Sequence, residues 1–332
     1  MSEPLKGKEE REQGSGGAIK PPFFLFSLSS LPALISILIV SSAAVWLYRH
    51  ALGFAYFNDD PSGHFAWMEG QALWQFFAGS AAYGYYRPVV FAVLRLSELF
   101  FGNDVFPHNP AADHALLVML HAANVGMVWL LARRLSGRDL YGWIAALVFA
   151  FVPFSYEAVA YVASLTHPLV VFWTLLSLLL YDHRRPIDDR RPTKADTSTL
   201  TTAHWSLAAT LLIMTLGLLT HENGLFILPA LVGLDWARRP KFVWHERARR
   251  LWPYAVPPLL FAALWVFIPK NSEQGLNSVT DIGRNAVPFL QTLVYPLLPI
   301  FQLDPADTMA LLALSVTAVA VFGWLAWRAG AW

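Results

Sequence analysis

The sequence contains no cysteine and little charge. Without cysteine the fold has no disulfide and no thiolate metal site, and the sequence does not indicate the redox compartment. Only 14% of the 332 residues are charged, whereas 56% are hydrophobic. Several apolar runs approach the roughly 20 residues that cross a lipid bilayer. The composition therefore predicts an all-α, polytopic membrane protein, and no nucleic-acid partner is expected.

An apolar run over residues 23–47 follows a polar, glycine-rich start. This run is too long for a signal peptide and lacks a small-residue cleavage site, so we expect a disordered tail over residues 1–20 and a retained first span. Residues 21–332 are expected to form one transmembrane domain. About eight spans are predicted, over residues 23–47, 114–132, 140–152, 168–181, 205–219, 224–236, 251–268 and 309–327.

Most of the 24 lysines and arginines fall in the tail and in the linkers that this pattern places on the same side. The positive-inside rule therefore predicts that both termini are cytoplasmic. Two longer loops then face outward: residues 49–113, expected to carry interfacial helices, and residues 270–308, with an apolar part at 287–303. Whether 89–101 and 287–303 cross the membrane stays open. The acids and histidines that linker charge does not explain converge on the outer side.

Two adjacent carboxylates, Asp59 and Asp60, follow the first span closely. Neighbouring residues of an extended loop point to opposite sides, so one carboxylate could act as a base while the other orients it or binds a cation. The alternative is an Asx-type cap, with Pro61 and Ser62 opening a helix over residues 65–77.

Tyr86 and Arg87 open a helix-like stretch over residues 89–101, which also carries Arg95 and Glu98. A helix N-terminus beside an arginine suits an anion such as a phosphate. An interfacial helix with a snorkelling arginine is at least as good an interpretation of the same residues.

His114 and His121 are seven residues apart on one predicted helix face. His121 lies well inside a span, where a histidine is expected to face the protein interior or a wet cavity. A hydrogen bond between helices explains it more simply. Metal-binding histidine pairs prefer a spacing of three or four, so the spacing argues against a metal pair.

Glu157 and the pair His221-Glu222 stand at turns between spans on the outer side. Glu222 could cap a helix that starts at Gly224, because an acid is favourable near a helix N-terminus. Each of these residues is more readily explained as structural than as catalytic when it is taken alone.

Taken together and in order, these residues resemble the GT-C class of membrane glycosyltransferases. The likeness is closest to the protein O-mannosyltransferase-like families, including those in which TPR repeats follow the membrane region. Because no such repeat is present, a truncated or minimal version is expected. The likeness rests on Asp59-Asp60, Tyr86-Arg87-Pro88, Leu94-Arg95-Leu96, His114, His121, Tyr156-Glu157-Ala158-Val159-Ala160, Glu222 before Gly224-Leu225, and Tyr295-Pro296-Leu297-Leu298-Pro299 leading to Asp304.

The resemblance implies transfer of mannose or a similar hexose from a polyprenyl phosphate to an acceptor hydroxyl, with inversion. It places the reaction on the extracytoplasmic face of a bacterial cytoplasmic membrane. Asp59 is expected to accept the hydroxyl proton while Asp60 supports it, and a divalent cation at this pair is an option. Arg87, with His221 or Lys270, is expected to bind the leaving phosphate and stabilise its developing charge.

The resemblance further implies that Glu157 and Glu222 shape the sugar pocket or hold Arg87, and that residues 287–303 guide the prenyl tail. The acceptor is expected to be a protein serine or threonine, with a lipid or glycan as the alternative. A transporter and a non-catalytic membrane scaffold are the rival classes. The remaining expected substrate-binding residues are Tyr86, His114, His121 and Asp304.

Overall fold

The computed structural model describes residues 31–56, 60–79, 86–102, 108–151, 154–188, 197–241 and 243–268, together with residue 317. Within these ranges the chain is all-helical, and no β-strand occurs. The helices are α1 (Leu31–Tyr48), α2 (Ala66–Met68), α3 (Gln75–Ala78), α4 (Pro88–Phe101), α5 (Pro110–Ser136), α6 (Asp139–Phe151), α7 (Phe154–Ala160), α8 (Thr166–Asp188), α9 (Thr197–Thr220), α10 (Ile227–Arg238) and α11 (Trp244–Phe267). Short helical turns occur at Arg49–Gly53, Asp60–Phe65, Val162–Leu165 and Glu222–Phe226.

Four stretches of the described chain are helical, long and apolar enough to cross a membrane. They are Leu31–Gly53, Pro110–Ser136, Val162–His183 and Trp244–Phe267, and two shorter apolar helices cover Asp139–Phe151 and Trp205–Thr220. All six overlap predicted spans, in agreement with the expected membrane character. The count of eight spans and the GT-C fold stay predictions. The expected tail, the surface segment 287–303 and, apart from residue 317, the last predicted span lie outside the described residues.

Helix α5 forms the centre of the described bundle and packs against α1, α6 and α8. It begins where the Asn109 side chain accepts a hydrogen bond from the backbone N–H of Ala112 at 3.3 Å, with proline at the first helical position. It ends at Gly137, whose φ of 72° places it in the left-handed region that favours glycine at a helix end. Arg133 pairs with Asp139 across this turn and closes the predicted hairpin to α6.

The bundle has two chemically different ends. At one end, the beginning of α5 contacts Ala160 through His114, and Arg87 contacts Glu222; we call this the Arg87 end. At the other, α8, α10 and α11 meet around a buried carboxylate, that of Asp235; we call this the Asp235 end. The acids and histidines that were expected to converge on the outer side lie at the Arg87 end, as far as they belong to helix ends and turns that the structure describes.

Helix α4 lies across the Arg87 end. Its first turn is fixed to Glu222 by Arg87, and near its other end Ser97 donates a hydrogen bond to Asp113 in the first turn of α5. Fourteen residues make a helix about 21 Å long, which is shorter than the roughly 30 Å hydrocarbon core of a bilayer. Because both ends of α4 meet the same end of the bundle, the helix does not run through the bundle from end to end. Residues 89–101 therefore fit the interfacial alternative.

The helix expected over residues 65–77 is not continuous, and that prediction is wrong. Helix α2 stops at Met68 and α3 begins only at Gln75. Gly70 between them has a φ of 71°, which is incompatible with a right-handed helix. The backbone carbonyl of Gln71 faces Arg95, so the break is held by a contact from α4.

Candidate functional site

An ion pair between α4 and the turn after α9 is the most distinctive feature of the Arg87 end. Arg87 Nη2 donates to Glu222 Oε1 at 2.8 Å, and Nε donates to Oε2 at 3.4 Å. Such two-point contacts fix orientation as well as distance. The two side chains are 17% and 41% exposed, so the pair is accessible from outside the protein. Glu222 was expected to cap a helix, to shape a sugar pocket or to hold Arg87, and the contact with Arg87 is present.

The charge of Arg87 also sets the ionisation of Glu222. Burial raises the pKa of Glu222, but the hydrogen bond from Arg87 and its charge outweigh burial, so the pKa lies below its ordinary value. Glu222 is therefore a carboxylate at neutral pH.

His221 lies beside this pair and is buried. Its Nδ1 accepts a hydrogen bond from the backbone N–H of Asn223 at 3.0 Å, so the neutral ring carries its proton on Nε2. The side-chain cap of this turn therefore comes from His221, whereas the sequence had suggested Glu222. Burial, and then the charge of Arg87, lower the pKa of His221. The turn thus carries a neutral imidazole, protonated on Nε2, next to a guanidinium.

A second histidine joins the site from α8. The ring of His167 lies 5.4 Å from that of His221, centroid to centroid. Glu157 of α7 is exposed and lies within electrostatic range of His167. His167 is one of the histidines outside the linkers that the charge pattern assigns to the outer side, and the sequence gave it no role. The signal that pointed to it was its position at the start of a span, directly before Pro168.

Asp60 is fully buried. Its Oδ1 accepts a hydrogen bond from the backbone N–H of Ala163 at 2.6 Å. Ala163 belongs to the Val162–Leu165 turn that leads into His167, so Asp60 fastens its own turn to the segment that carries the second histidine. Asp59, the neighbouring carboxylate, lies outside the described residues.

A second buried carboxylate, Asp113, was not singled out by the sequence. Tyr56 donates its phenol O–H to Asp113 Oδ2 at 2.6 Å, and Ser97 donates its hydroxyl to Oδ1 at 2.5 Å. Burial and the carboxylate of Asp113 both raise the pKa of Tyr56, so its phenol stays protonated and keeps donating. Asp113 therefore connects the segment before Asp60, helix α4 and helix α5. An aspartate directly before a predicted span was the available signal.

Arg95 connects α4 to the chain that follows Asp60. Its guanidinium donates to the carbonyl oxygens of Met68 and Gln71, the latter at 3.0 Å, and pairs with Glu98. These contacts lie on both sides of Gly70. Hydrogen bonds with Ala163 and Arg95 thus both attach the loop that carries Asp60.

The two histidines of α5 do not reach the Arg87–Glu222 pair through any contact in the described structure. His114 is fully buried, and its ring nitrogens lie 2.8 Å from the Pro110 carbonyl oxygen and 3.2 Å from that of Ala160. His121 packs between the rings of Tyr48 and Phe149. Its Nε2 has no hydrogen-bond partner among the described residues, but the ring has a hydrogen bond to the backbone of Ala150 in α6, which agrees with the expected bond between helices.

Tyr86 has a structural partner as well. Its phenol donates to the carbonyl oxygen of Phe77 at 3.0 Å, and its ring packs with Leu218 and Phe261. Burial raises the pKa of Tyr86. Lys270 and Asp304, the last of the expected site residues, lie outside the described residues.

The described residues contain no group of three or more histidines and carboxylates that could hold a metal ion. Asp60 Oδ1 accepts a backbone N–H, and the option of a cation at the Asp59-Asp60 pair stays a prediction. No family model, curated protein or solved structure matches the chain.

Proposed function

We propose that the chain is a membrane glycosyltransferase of the GT-C type, which moves a hexose from a polyprenyl phosphate to an acceptor hydroxyl. The observation that supports this most is the Arg87–Glu222 pair, with His221 beside it at the end of the bundle to which Asp60 is fastened. An anionic lipid headgroup is recognised by an accessible guanidinium with further N–H donors. The pair stands where α9 ends, so a lipid in the bilayer could present its headgroup to it.

In the proposed reaction the acceptor oxygen forms a bond to the anomeric carbon while the bond from that carbon to the phosphate oxygen breaks. The phosphate leaves with the bonding electrons, and the hydroxyl proton passes to Asp59. Phosphate is already a good leaving group, so one carboxylate base suffices. Asp60 supports the base by holding the turn against Ala163. Attack from the face opposite the leaving group inverts the configuration.

The negative charges around Arg87 determine how far Arg87 by itself can stabilise the leaving phosphate. Glu222 already compensates Arg87, and Glu157 adds a further negative charge nearby. A leaving phosphate therefore needs additional donors or positive charge, which His221 Nε2–H and Lys270 would supply. Glu222 holds Arg87 in position in this proposal.

The test is release of polyprenyl phosphate from labelled polyprenyl-phosphate sugars by membranes that contain the full chain. We expect release by the wild type and loss of release in Asp59→Asn, because the base is removed. Asp60→Asn keeps an oxygen that can accept from Ala163, so a smaller loss is expected. Arg87→Met should reduce release strongly, whereas the matched control Arg133→Met, at the Asp235 end, should leave it unchanged.

A non-catalytic scaffold is the second candidate, and one observation favours it: Asp60 and Glu222 both have partners inside the protein, as structural residues do. No release from any donor by folded protein would support the scaffold. Equal release by the wild type and Asp59→Asn would exclude the proposed base. Comparing peptide, lipid and glycan acceptors in the same assay would identify the acceptor class.

A further inference from the structure

The C-terminal half of α4 has its polar side chains turned toward the protein and its apolar ones turned outward. Arg95 contacts the carbonyl oxygens of the preceding loop, Glu98 pairs with Arg95, and Ser97 contacts Asp113. Leu99 and Phe100, by contrast, are 70% and 76% exposed. A helix on a water-facing surface shows the opposite arrangement.

The exposed apolar surface continues beyond α4. The segment around α3, which packs on α4, exposes Trp74 at 69% together with Leu73 and Phe77. The two long helices on which α4 rests, α5 and α9, expose Met119 and Leu212. We call the exposed residues of the α3 and α4 region the α3–α4 surface; they are Leu73, Trp74, Phe77, Leu96, Leu99, Phe100 and Phe101.

We propose that the α3–α4 surface inserts into the lipid bilayer, at the boundary of headgroups and acyl chains in the leaflet at the Arg87 end. Helix α4 lies across the end of the bundle, which is the orientation of a helix in the plane of an interface. The leucine and phenylalanine side chains of this surface have no hydrogen-bonding groups, as acyl chains require. Trp74 adds an indole, and tryptophan is enriched at membrane interfaces.

A protein partner is a poorer fit to the same surface. Specific protein interfaces combine apolar contacts with hydrogen bonds, whereas the polar residues of this half of α4 are already used inside the protein. Helices α5 and α9 pack against α4 and also expose apolar side chains, Met119 and Leu212, and a lipid bilayer would cover these and the α3–α4 surface alike. This inference does not depend on the proposed function.

Insertion would link the membrane to the loop that carries Asp60. Arg95 stands on the inner face of α4, and its contacts with Met68 and Gln71 hold the loop after α2. Lipid on the outer face of α4 and the loop on its inner face are thus separated by one helix. The depth of α4 in the leaflet sets the position of Asp60 relative to the membrane.

The test uses single cysteines carrying a nitroxide, in the full chain reconstituted in phospholipid nanodiscs. The chain has no cysteine of its own, so each label reports one site. Leu99→Cys reports the α3–α4 surface, Leu38→Cys on α1 serves as the lipid-exposed reference, and Glu69→Cys serves as the water-exposed reference. Collision rates are measured with oxygen, which concentrates in acyl chains, and with a neutral nickel chelate, which stays in water.

We expect the ratio of oxygen to nickel collisions at Leu99 to match that at Leu38 and to exceed that at Glu69 severalfold. A ratio at Leu99 equal to that at Glu69 would place the surface in water and overturn the proposal. Low collision rates with both reagents would mean that a protein partner or a second copy covers the surface, which also overturns it. Phe100→Cys repeats the measurement on the neighbouring position if Leu99→Cys does not fold.

Discussion

The two ends of the bundle both contain arginine–carboxylate contacts. The contacts differ in how far the carboxylate is exposed to solvent and in how many protein donors it has. At the Asp235 end the carboxylate is fully buried and accepts from Tyr181 at 2.6 Å, Arg239 at 2.5 Å and Arg247 at 2.6 Å. At the Arg87 end a single arginine meets a carboxylate that is 41% exposed.

The difference separates a contact that holds helices together from one that is open to a ligand. The Asp235 cluster draws its donors from α8, from α11 and from Arg239 directly after α10. Nearby Arg238 donates to both oxygens of Asp182, at 2.9 and 3.2 Å. Five charged residues there each contact a protein group of opposite charge: Asp182, Asp235, Arg238, Arg239 and Arg247. At the Arg87 end the pair is accessible and has a neutral histidine beside it. Accessibility and an available N–H are what a headgroup site needs; closure is what a helix junction needs.

The largest loss of stability should follow from removing the buried carboxylate at the Asp235 end. Asp235→Ala leaves Arg239 and Arg247 buried without their carboxylate, which for buried pairs costs about 3–5 kcal/mol of folding free energy. The measurement is thermal unfolding of the full chain in detergent, followed by intrinsic fluorescence. Asp139→Ala is the matched control, because it removes an exposed partner of Arg133 and should cost less than about 1 kcal/mol. Equal losses in the two variants would contradict the assignment of Asp235 as the closed junction.

Breaking the open pair should matter much less for stability. Glu222 is more than a third exposed, so solvent screens its attraction to Arg87, and the coupling energy should be at most about 1 kcal/mol. A double-mutant cycle of Arg87→Met and Glu222→Gln, measured by the same unfolding assay, isolates this term. A coupling of the size expected for Asp235 would make the Arg87–Glu222 contact a structural junction and remove the distinction between the two ends.

The sequence predicted helix positions well where apolar runs are long. The six apolar helices of the described chain fall on predicted spans, and the hairpin at Gly137 follows from its glycine and basic residues. The break at Gly70 was missed because the surrounding residues favour helix and the decisive contact, Arg95 with the carbonyl of Gln71, comes from 24 positions along the chain.

The sequence was enough to assign the site residues to one side of the membrane, but it could not predict which of them contact each other. Charge asymmetry was enough to group Arg87, His221 and Glu222 on one side, because it depends only on which linker each residue joins. The contact between Arg87 and Glu222 spans 135 positions, and no local pattern encodes it. Asp113 was overlooked for the same reason, since its partners Tyr56 and Ser97 reach it from two other segments.

The smallest expected effect concerns the histidine that makes the open end distinctive. Because burial and Arg87 lower the pKa of His221, the unfolded chain binds this proton first as the pH falls. The stabilising contribution of the neutral ring is therefore complete above the unfolded pKa of about 6.5 and is lost as the pH falls from there toward the folded pKa. Between about pH 7.5 and pH 6 this linkage amounts to somewhat less than about 1 kcal/mol.

His221→Asn tests this linkage directly. Its side-chain oxygen can take the place of Nδ1 and accept from Asn223, but it cannot be protonated, so unfolding temperatures of the variant should fall less on acidification than those of the wild type. Other buried histidines keep their own pH dependence in both proteins, and the difference between the two profiles belongs to position 221. Identical profiles would mean that His221 is not held neutral by burial and Arg87. The imidazole would then keep an ordinary pKa of about 6.5 and would add positive charge beside the guanidinium only below about that pH.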